Sequence, residues 1–351
     1  MAKKHIYCEK TFFDYCISKI TNWQLSDNSF EELKMWMCIK ETCFSDAVTL
    51  HLDITDAEIK TILGKKRDEL SLFEKNLKEL IIQKQKVGAV IKTNDSFVNL
   101  ENINMSDDAH LTAYYLTCCD SKVCKKIMND CGVLAICPDN ISDFKSILFD
   151  NGKAIYKGEC TNWNNILKYF PCNALLLIDN YILDQKSDTG VDNLENLKMI
   201  FDSLLPYQMD SNYKVTFQIS FFTKYDKNDF KTKFDEIAKL IASLRPNLFF
   251  KLSIFKYSKD IFHDRLIITN NMYISCGFGF CLINSSGKSV KTTSVSLIVP
   301  FWVNSVKWVT NAYLNFIKDS IKSVSNSTEF SIDTPYSRSV FIGNKDNRLL
   351  K

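Results

Sequence analysis

Apolar and polar positions along the first 140 residues follow patterns that predict strands and helices in alternation. Four segments have the spacing and composition of strands: residues 6–8, 47–52, 114–119 and 133–137. Helical spacing is found at residues 11–20, 30–41, 70–86 and 121–130. A further helix is predicted after Thr55, because the run Thr55-Asp56-Ala57-Glu58 matches a capping box. The succession of strand, helix, Gly132 and strand at residues 114–137 indicates a βαβ unit and hence a parallel sheet.

The rest of the chain repeats this alternation after a segment with weaker periodicity. Residues 143–151 and 160–170 are predicted as helical parts of a connector. Strands are predicted at residues 174–178, 215–222, 248–255, 263–269, 272–276 and 295–299, and helices at 193–205, 229–244 and 308–321. The predicted fold class is therefore α/β, with two α/β domains at residues 1–140 and 173–351 and a connector at 141–172.

Composition and charge narrow the classes of protein that fit. The hydrophobic fraction is 46% and the charged fraction 24%, as in ordinary globular proteins. The net charge of +3 gives no global basic field, so binding of nucleic acid would require a local patch. No apolar run approaches the roughly 18 residues of a membrane span, and residues 1–9 lack the apolar region of a signal peptide. We therefore expect a cytoplasmic protein without a membrane span.

The thirteen cysteines are interpreted as reduced thiols. Their number is odd, and disulfide frameworks belong mainly to short secreted chains. Five of them cluster in sequence without forming a CxxC pair: Cys118, Cys119, Cys124, Cys131 and Cys137. No zinc site is expected from this spacing.

Acidic residues follow or precede the predicted elements of the first domain. Glu9 and Asp120 come after strands, Glu58 lies in the first turn of a helix, and Asp107 and Asp108 precede a short segment at residues 109–111. The carboxyl ends of parallel strands converge on one crevice, where grouped carboxylates need a cation. These acids could instead serve as helix caps, and Glu58 has that role in the capping box. The pattern thus predicts either a site for Mg²⁺ or Mn²⁺ or a set of structural caps.

Residues 4–140 resemble the PIN-domain ribonucleases on these motifs. Glu9 corresponds to the acid that ends the family's first strand, Glu58 to the helical acid, and Asp107 or Asp108 to the third acid. Asp120, after Leu116-Thr117-Cys118-Cys119, is similar to the family's strand-ending Thr-x-Asp, and residues 132–138 to its closing strand. The resemblance implies a parallel sheet and a ribonuclease that uses Mg²⁺ or Mn²⁺ held by these acids.

The run Phe262-His263-Asp264-Arg265, with Asn270 after the apolar strand, resembles the His-x-Lys-x4-Asp motif of phospholipase-D-like proteins. His263 stands at the family's nucleophile, Arg265 at its lysine and Asn270 at its acid. The resemblance covers about residues 172–320 and implies a mixed sheet with flanking helices. It also implies that His263, Asp264, Arg265 and Asn270 bind a phosphate or contribute to catalysis. A single copy of the motif would require a homodimer for catalysis.

The sequence is compatible with three alternative functions. The first is a metal-dependent ribonuclease, which would act as the effector of a bacterial toxin or anti-phage system. Its second domain would bind a phosphate, a partner protein or a second copy of the chain. The second is a non-catalytic sensor or adaptor with two degenerate domains. The third is a dimeric phosphodiesterase that uses His263.

Overall fold

The structure is a computed structural model, and its description covers part of the chain. The described residues are 4–24, 30–45, 48–86, 91–93, 100, 108–144, 147–150, 153–156, 163–183, 193–209, 213, 215–223, 230–256, 265–276, 280, 295–298, 315, 319, 330–331, 341–342 and 347–350.

The first sheet is parallel, and its five strands follow the order β3-β2-β1-β4-β5. The strands are β1 (Lys4–Cys8), β2 (Val48–Leu52), β3 (Ile91–Thr93), β4 (Tyr114–Leu116) and β5 (Leu134–Ile136). The helices between them are α1 (Lys10–Thr21), α2 (Phe30–Phe44), α3 (Asp56–Gly64), α4 (Leu72–Lys86), α5 (Asp108–Leu111) and α6 (Ser121–Cys131). A 3₁₀ turn at Arg67–Glu69 precedes α4. Because the chain adds β2 and β3 on one side of β1 and then β4 and β5 on the other, the strand order reverses between β1 and β4.

Local sequence signals set the bounds of these helices. The capping box predicted at Thr55 is present: its hydroxyl accepts from the Glu58 amide, and the Glu58 carboxylate accepts from the Thr55 amide. Gly132 ends α6 with a φ of 64°, in the left-handed region. A Cβ at Gly132 would lie 2.4 Å from the backbone carbonyl carbon of Cys172, so the close approach of this later segment requires glycine.

The core of the first sheet is built from strands buried on both faces and from apolar stripes on the helices. Ile6, Tyr7 and Cys8 are all buried, so both faces of β1 are covered. Helix α1 buries Phe12, Phe13, Cys16 and Ile17, and Phe12 lies 6.0 Å from Trp36 of α2 between ring centroids. Each such side chain contributes roughly 1.5–3 kcal/mol relative to exposure. Hydrophobic burial therefore fixes α1 and α2 against one face of the sheet.

The second sheet is mixed, with six strands in the order β10-β9-β8-β11-β12-β13. Strands β8, β9 and β10 are parallel, whereas β11, β12 and β13 each run antiparallel to their neighbours. The strands are β8 (Ala174–Ile178), β9 (Thr216–Thr223), β10 (Phe249–Lys256), β11 (Arg265–Thr269), β12 (Tyr273–Cys276) and β13 (Val295–Ile298), with helices α8 (Asn193–Leu204) and α9 (Phe230–Leu244). The predicted fold class is confirmed: the chain is α/β, with one parallel and one mixed sheet and flanking helices.

Smaller elements complete the described structure and correct part of the sequence prediction. Residues 143–151 were expected to be helical, but β6 (Ile147–Asp150) and β7 (Lys153–Tyr156) form an antiparallel hairpin. The remaining elements are α7 (Asn164–Leu167), the strand pair β14 (Phe330–Ser331) and β15 (Phe341–Ile342), and 3₁₀ turns at Ile141–Phe144 and Arg348–Leu350. The predicted helix at residues 308–321 lies almost entirely outside the described residues. No helix within the described ranges is long and apolar enough to span a membrane.

Three buried asparagines, which we call the asparagine seam, join the two sheets: Asn173, Asn270 and Asn271. The Asn173 side-chain amide donates to the carbonyl of Leu111 at 2.8 Å, and that of Asn270 donates to the carbonyl of Gly132 at 2.9 Å. Asn271 also donates to Gly132, at 3.3 Å. Leu111 and Gly132 precede β4 and β5, so the seam lies at the amino-terminal edge of the first sheet.

Lys4 and Tyr114 extend this contact from the side of the first sheet. The Lys4 ammonium donates to the carbonyl of Asn270 at 2.5 Å and lies 4.2 Å from the centroid of the Tyr114 ring. The Tyr114 hydroxyl reaches the carbonyl of Asn271 at 3.4 Å. Strand β1 starts at Lys4 and β8 starts just after Asn173, so both strands begin at the seam. The carboxyl ends of β1 and β8 therefore lie on the sides of the two sheets that face away from the seam. We call these two sides the strand-end edges.

Candidate functional site

Glu9 lies at the carboxyl end of β1, where the strand order of the first sheet reverses. Its amide donates to the carbonyl of Leu116 at 2.9 Å, which continues the pairing of β1 with β4 by one residue. Its carbonyl accepts from the amide of Phe13, so the same residue starts α1. In open α/β sheets the crevice at such a reversal is the usual place for a ligand. The fold therefore places the predicted Glu9 at the favoured position for a site.

The loop after β4 wraps around the Glu9 carboxylate. The buried Thr117 hydroxyl donates to one oxygen, and the Cys118 amide donates to the other at 2.6 Å. The Cys119 sulfur lies 3.8 Å from the first oxygen. The Thr117 hydroxyl also accepts from the Cys119 amide at 3.0 Å, which fixes its direction. Glu9 is thus held in one orientation by hydrogen bonds to both of its carboxylate oxygens.

A second acid of this crevice, Asp53, was missed by the sequence analysis. It directly follows β2, and its carboxylate accepts from the Lys10 amide at the start of α1. Partial burial raises the pKa of Asp53, and the negative charge of Glu9 raises it further. The signal was present in the sequence, because Asp53 follows a strand just as Glu9 does.

Glu58 lies beside this pair, and its carboxylate already accepts two hydrogen bonds. Its carboxylate accepts from the Thr55 amide at 2.8 Å and from the Lys10 ammonium at 2.9 Å. The Thr55 amide, followed by Lys10, lowers the pKa of Glu58 to about 2. Both side chains of the Lys10–Glu58 pair are more than a third exposed. Lys10 contacts Glu58 through its ammonium and Asp53 through its backbone amide, so it places a positive charge at this edge of the sheet.

The remaining predicted acids are placed differently or fall outside the description. Asp120 is exposed and is the N-cap of α6, where its carboxylate accepts from the Lys122 amide at 2.7 Å. Asp108 is the first residue of α5, and its side chain lies outside the described part. Asp107 also lies outside it. The structure thus brings Glu9 and Glu58 to one crevice with Asp53, and gives Asp120 a capping contact.

The side chains that line the crevice determine which ions it can bind. No group of three or more His, Cys, Asp or Glu side chains suited to a metal ion occurs within the described residues. Mg²⁺, however, usually keeps several waters and binds through one or two carboxylates and the phosphates of its substrate. Glu9 and Asp53 fit that smaller requirement, since both are oxygen ligands and a bound cation would relieve their mutual repulsion.

The second strand-end edge carries Asp179, directly after β8. Asp179 is buried, accepts from the Tyr181 amide at 2.8 Å and lies 3.9 Å from the Arg265 guanidinium. Burial raises the pKa of Asp179, while the Tyr181 amide and the positive charge of Arg265 act in the opposite direction. Arg265 is partly exposed and lies 6.0 Å from the centroid of the exposed Tyr181 ring. His263 and Asp264 lie outside the described residues.

Asn270, the fourth residue of the predicted phosphate motif, lies in the asparagine seam. Its side-chain oxygen accepts from the Asn173 amide at 3.0 Å, and its side-chain nitrogen donates to Gly132. Arg265 and Asn270 bracket β11, so they lie at opposite ends of that strand. The structure therefore separates Arg265 at the outer edge from Asn270 at the junction of the sheets.

No protein-family model, curated protein or solved structure gives a significant match to this chain. The class that the structure itself defines is an α/β protein with a parallel and a mixed sheet and a carboxylate crevice at the reversal point of the parallel one.

Proposed function

We propose that this protein is a cytoplasmic metal-dependent ribonuclease whose site is the crevice at the end of β1. The observation that carries the proposal is the meeting of Glu9 and Asp53 at the point of strand reversal, where the negative charge of Glu9 contributes to the raised pKa of Asp53. The pair would hold Mg²⁺ or Mn²⁺, with Asp107 and Asp108 as the further ligands expected from the resemblance to PIN domains. RNA is the substrate expected from that resemblance.

The residues of the crevice have distinct roles in this proposal. A bound divalent ion would supply Lewis-acid activation of a phosphodiester and of its attacking water. Glu9 is a fixed ligand because Thr117 and Cys118 hold its carboxylate. Asp53 is the proton acceptor, since partial burial raises its pKa. The water oxygen forms the new bond to phosphorus, Asp53 takes its proton, and the leaving ribose oxygen departs with the electrons of the broken P–O bond.

Cleavage of a labelled mixed RNA pool tests the proposal, with Mn²⁺ or with EDTA. We expect metal-dependent cutting that Glu9→Gln and Asp53→Asn each reduce by roughly 100-fold or more. The matched control is Asp14→Asn, a loss of one charge at an exposed position of α1. No cutting with any divalent metal, or equal loss in the control, would contradict the proposal.

Asp120→Asn separates the two roles that Asp120 can have. Asparagine is as good an N-cap as aspartate, so the contact to Lys122 and the start of α6 are preserved. Loss of cleavage in this variant would assign Asp120 to the metal site, as the resemblance to PIN domains implies. Retained cleavage would leave it as a cap.

A second candidate is a non-catalytic phosphate-binding protein, and the Asp179–Arg265 contact favours it. The partly exposed Arg265 guanidinium, with the exposed Tyr181 beside it, can donate to an anion, while the buried Asp179 helps to position the guanidinium. If no cleavage is found, binding of inorganic phosphate by wild-type protein and Arg265→Ala becomes the deciding measurement. The dimeric phosphodiesterase is a third proposal; loss of metal-independent cleavage in His263→Ala, together with a dimeric mass, would support it.

A further inference from the structure

A groove of about 570 Å³ follows the outer face of α4 and the 3₁₀ turn before it. Five of its described lining residues are charged: Arg67, Lys75, Lys78, Lys86 and Glu79. Four cations against one carboxylate leave three net positive charges, which equals the net charge of the whole chain. Because the chain has no global basic field, binding of nucleic acid would require a local basic patch, and this groove is such a patch.

The cations of the groove differ in how they are held. Lys78 is partly buried, and its ammonium donates to the carbonyls of Leu63 and Lys65 at 2.8 and 2.7 Å. It forms the floor of the groove, at the carboxyl end of α3. Arg67, Lys75 and Lys86 are exposed. Among the residues that the structure describes, these three side chains make no hydrogen bond or ion pair, so they can reach a ligand without first breaking such a contact.

Two acids near the groove, Glu69 and Glu74, are already engaged by other groups. The Glu74 carboxylate pairs with Lys65 at 2.6 Å and accepts from the Ser71 amide at 2.9 Å. The Glu69 carboxylate accepts from the Lys66 amide at 3.0 Å. Because these contacts cap helical turns, the two carboxylates neutralise the exposed cations only in part.

One end of the groove is connected to the crevice at Glu9 through helix α3. Lys75 and Lys86 are separated by about 16 Å along the axis of α4. Helix α3 is about 13 Å long. Its first turn carries Glu58, which contacts Lys10 in the crevice, and its carboxyl end is held by Lys78 in the groove. Helix α3 therefore connects the groove at Lys78 to the crevice at Lys10.

We infer that this groove binds the phosphate backbone of an RNA strand whose continuation reaches the Glu9 crevice. The choice of RNA as ligand rests on the proposed ribonuclease function. Lys75, Lys86 and Arg67 contact phosphates, and the groove selects by charge without reading bases.

Binding of a labelled single-stranded RNA of mixed sequence, measured by fluorescence anisotropy in EDTA across a series of salt concentrations, tests the inference. The variant is Lys75→Glu/Lys86→Glu. The matched control is Lys198→Glu/Lys239→Glu, which reverses two exposed charges on α8 and α9, beside the second sheet. We expect the groove variant to bind about tenfold more weakly or worse, and its salt slope to fall by about 1.4, at about 0.7 per lost phosphate contact. The control should bind as wild type does.

Several outcomes would overturn the inference: unchanged binding in the groove variant, an equal loss in the control, or groove-dependent binding to phosphatidylserine vesicles without binding to RNA. Glu9→Gln, measured in parallel, separates this inference from the proposed function. Groove-dependent RNA binding without any cleavage would uphold the groove and reject the ribonuclease. Cleavage that the groove variant leaves unchanged would uphold the ribonuclease and reject the groove.

Discussion

Glu9 and Asp179 occupy corresponding places in the two sheets, because each directly follows the strand at which the strand order reverses. Their surroundings are opposite in charge. Asp179 is buried beside the guanidinium of Arg265, and the pairing is internal to the fold. Glu9 is partly buried and has a second acid, Asp53, as its charged neighbour. The comparison teaches that corresponding positions in two α/β sheets can differ in their neighbouring charges: one acid is paired with a cation inside the fold, and the other lies beside a second acid.

The largest expected difference between the two edges is in stability. Asp179→Ala should lower the free energy of unfolding by about 3 kcal/mol, because it removes the buried carboxylate that accepts from the Tyr181 amide and lies beside the Arg265 guanidinium. Glu9→Gln should cost less than about 1 kcal/mol, since glutamine can still accept from Thr117. Urea unfolding of both variants measures this. Equal costs would remove the distinction between a structural and a functional acid.

A pH effect is expected at the seam from which both edges extend. Burial lowers the pKa of Lys4 from its usual 10.5 to about 7. Between these values the unfolded chain binds more protons than the folded one, so stability should rise as pH increases from 7 to 10.5. Below pH 7 the contribution is constant. Urea unfolding at several pH values should show a smaller rise in Lys4→Met than in wild type, with the exposed Lys122→Met as control; identical slopes would contradict the burial of this charge.

Two single-charge variants should move the carboxyl pKa values of the two edges in opposite directions. Glu9→Gln removes a negative neighbour and should lower the pKa of Asp53. Arg265→Ala removes a positive neighbour and should raise the pKa of Asp179 further. Carboxyl ¹³C NMR titration reports both. Shifts in the same direction would mean that the charges assigned to the two edges are incorrect.

The smallest expected effect concerns the ion pair that borders the crevice. Lys10 and Glu58 are both more than a third exposed, so their coupling energy should be below about 0.5 kcal/mol. A double-mutant cycle with Lys10→Met and Glu58→Gln, followed by urea unfolding, measures it. A coupling of about 2 kcal/mol would instead place Glu58 among the fixed structural acids, with Asp179.

Features that depend on neighbours in sequence could be predicted. The capping box at Thr55 and the helix stop at Gly132 are local, and both are found as expected. The hairpin of β6 and β7 was mistaken for helix although Asn151-Gly152, between its strands, is a strong hairpin signal. Strand β3 was missed because three residues carry too little pattern.

The candidate site could be predicted only in part, because its members meet through tertiary structure. Glu9 was found from its place after a strand, whereas Asp53 was overlooked in favour of the helical Glu58. The contacts of Thr117 and Lys10 with these acids span 108 and 48 positions. Such distances follow from strand order and register, which the pattern of apolar residues does not encode.

The asparagine seam has a consequence for the order of events during synthesis. All five strands of the first sheet have been made once residue 136 leaves the ribosome. Gly132, however, receives the amide of Asn270 from 138 positions later, and Asn173 receives Arg348 from 175 positions later. Contacts of such high sequence separation form slowly. Asn173 can reach the carbonyls of Leu111 and Gly132 soon after the first sheet is made, whereas the contact of Asn270 with Gly132 and that of Arg348 with Asn173 must wait for these later residues.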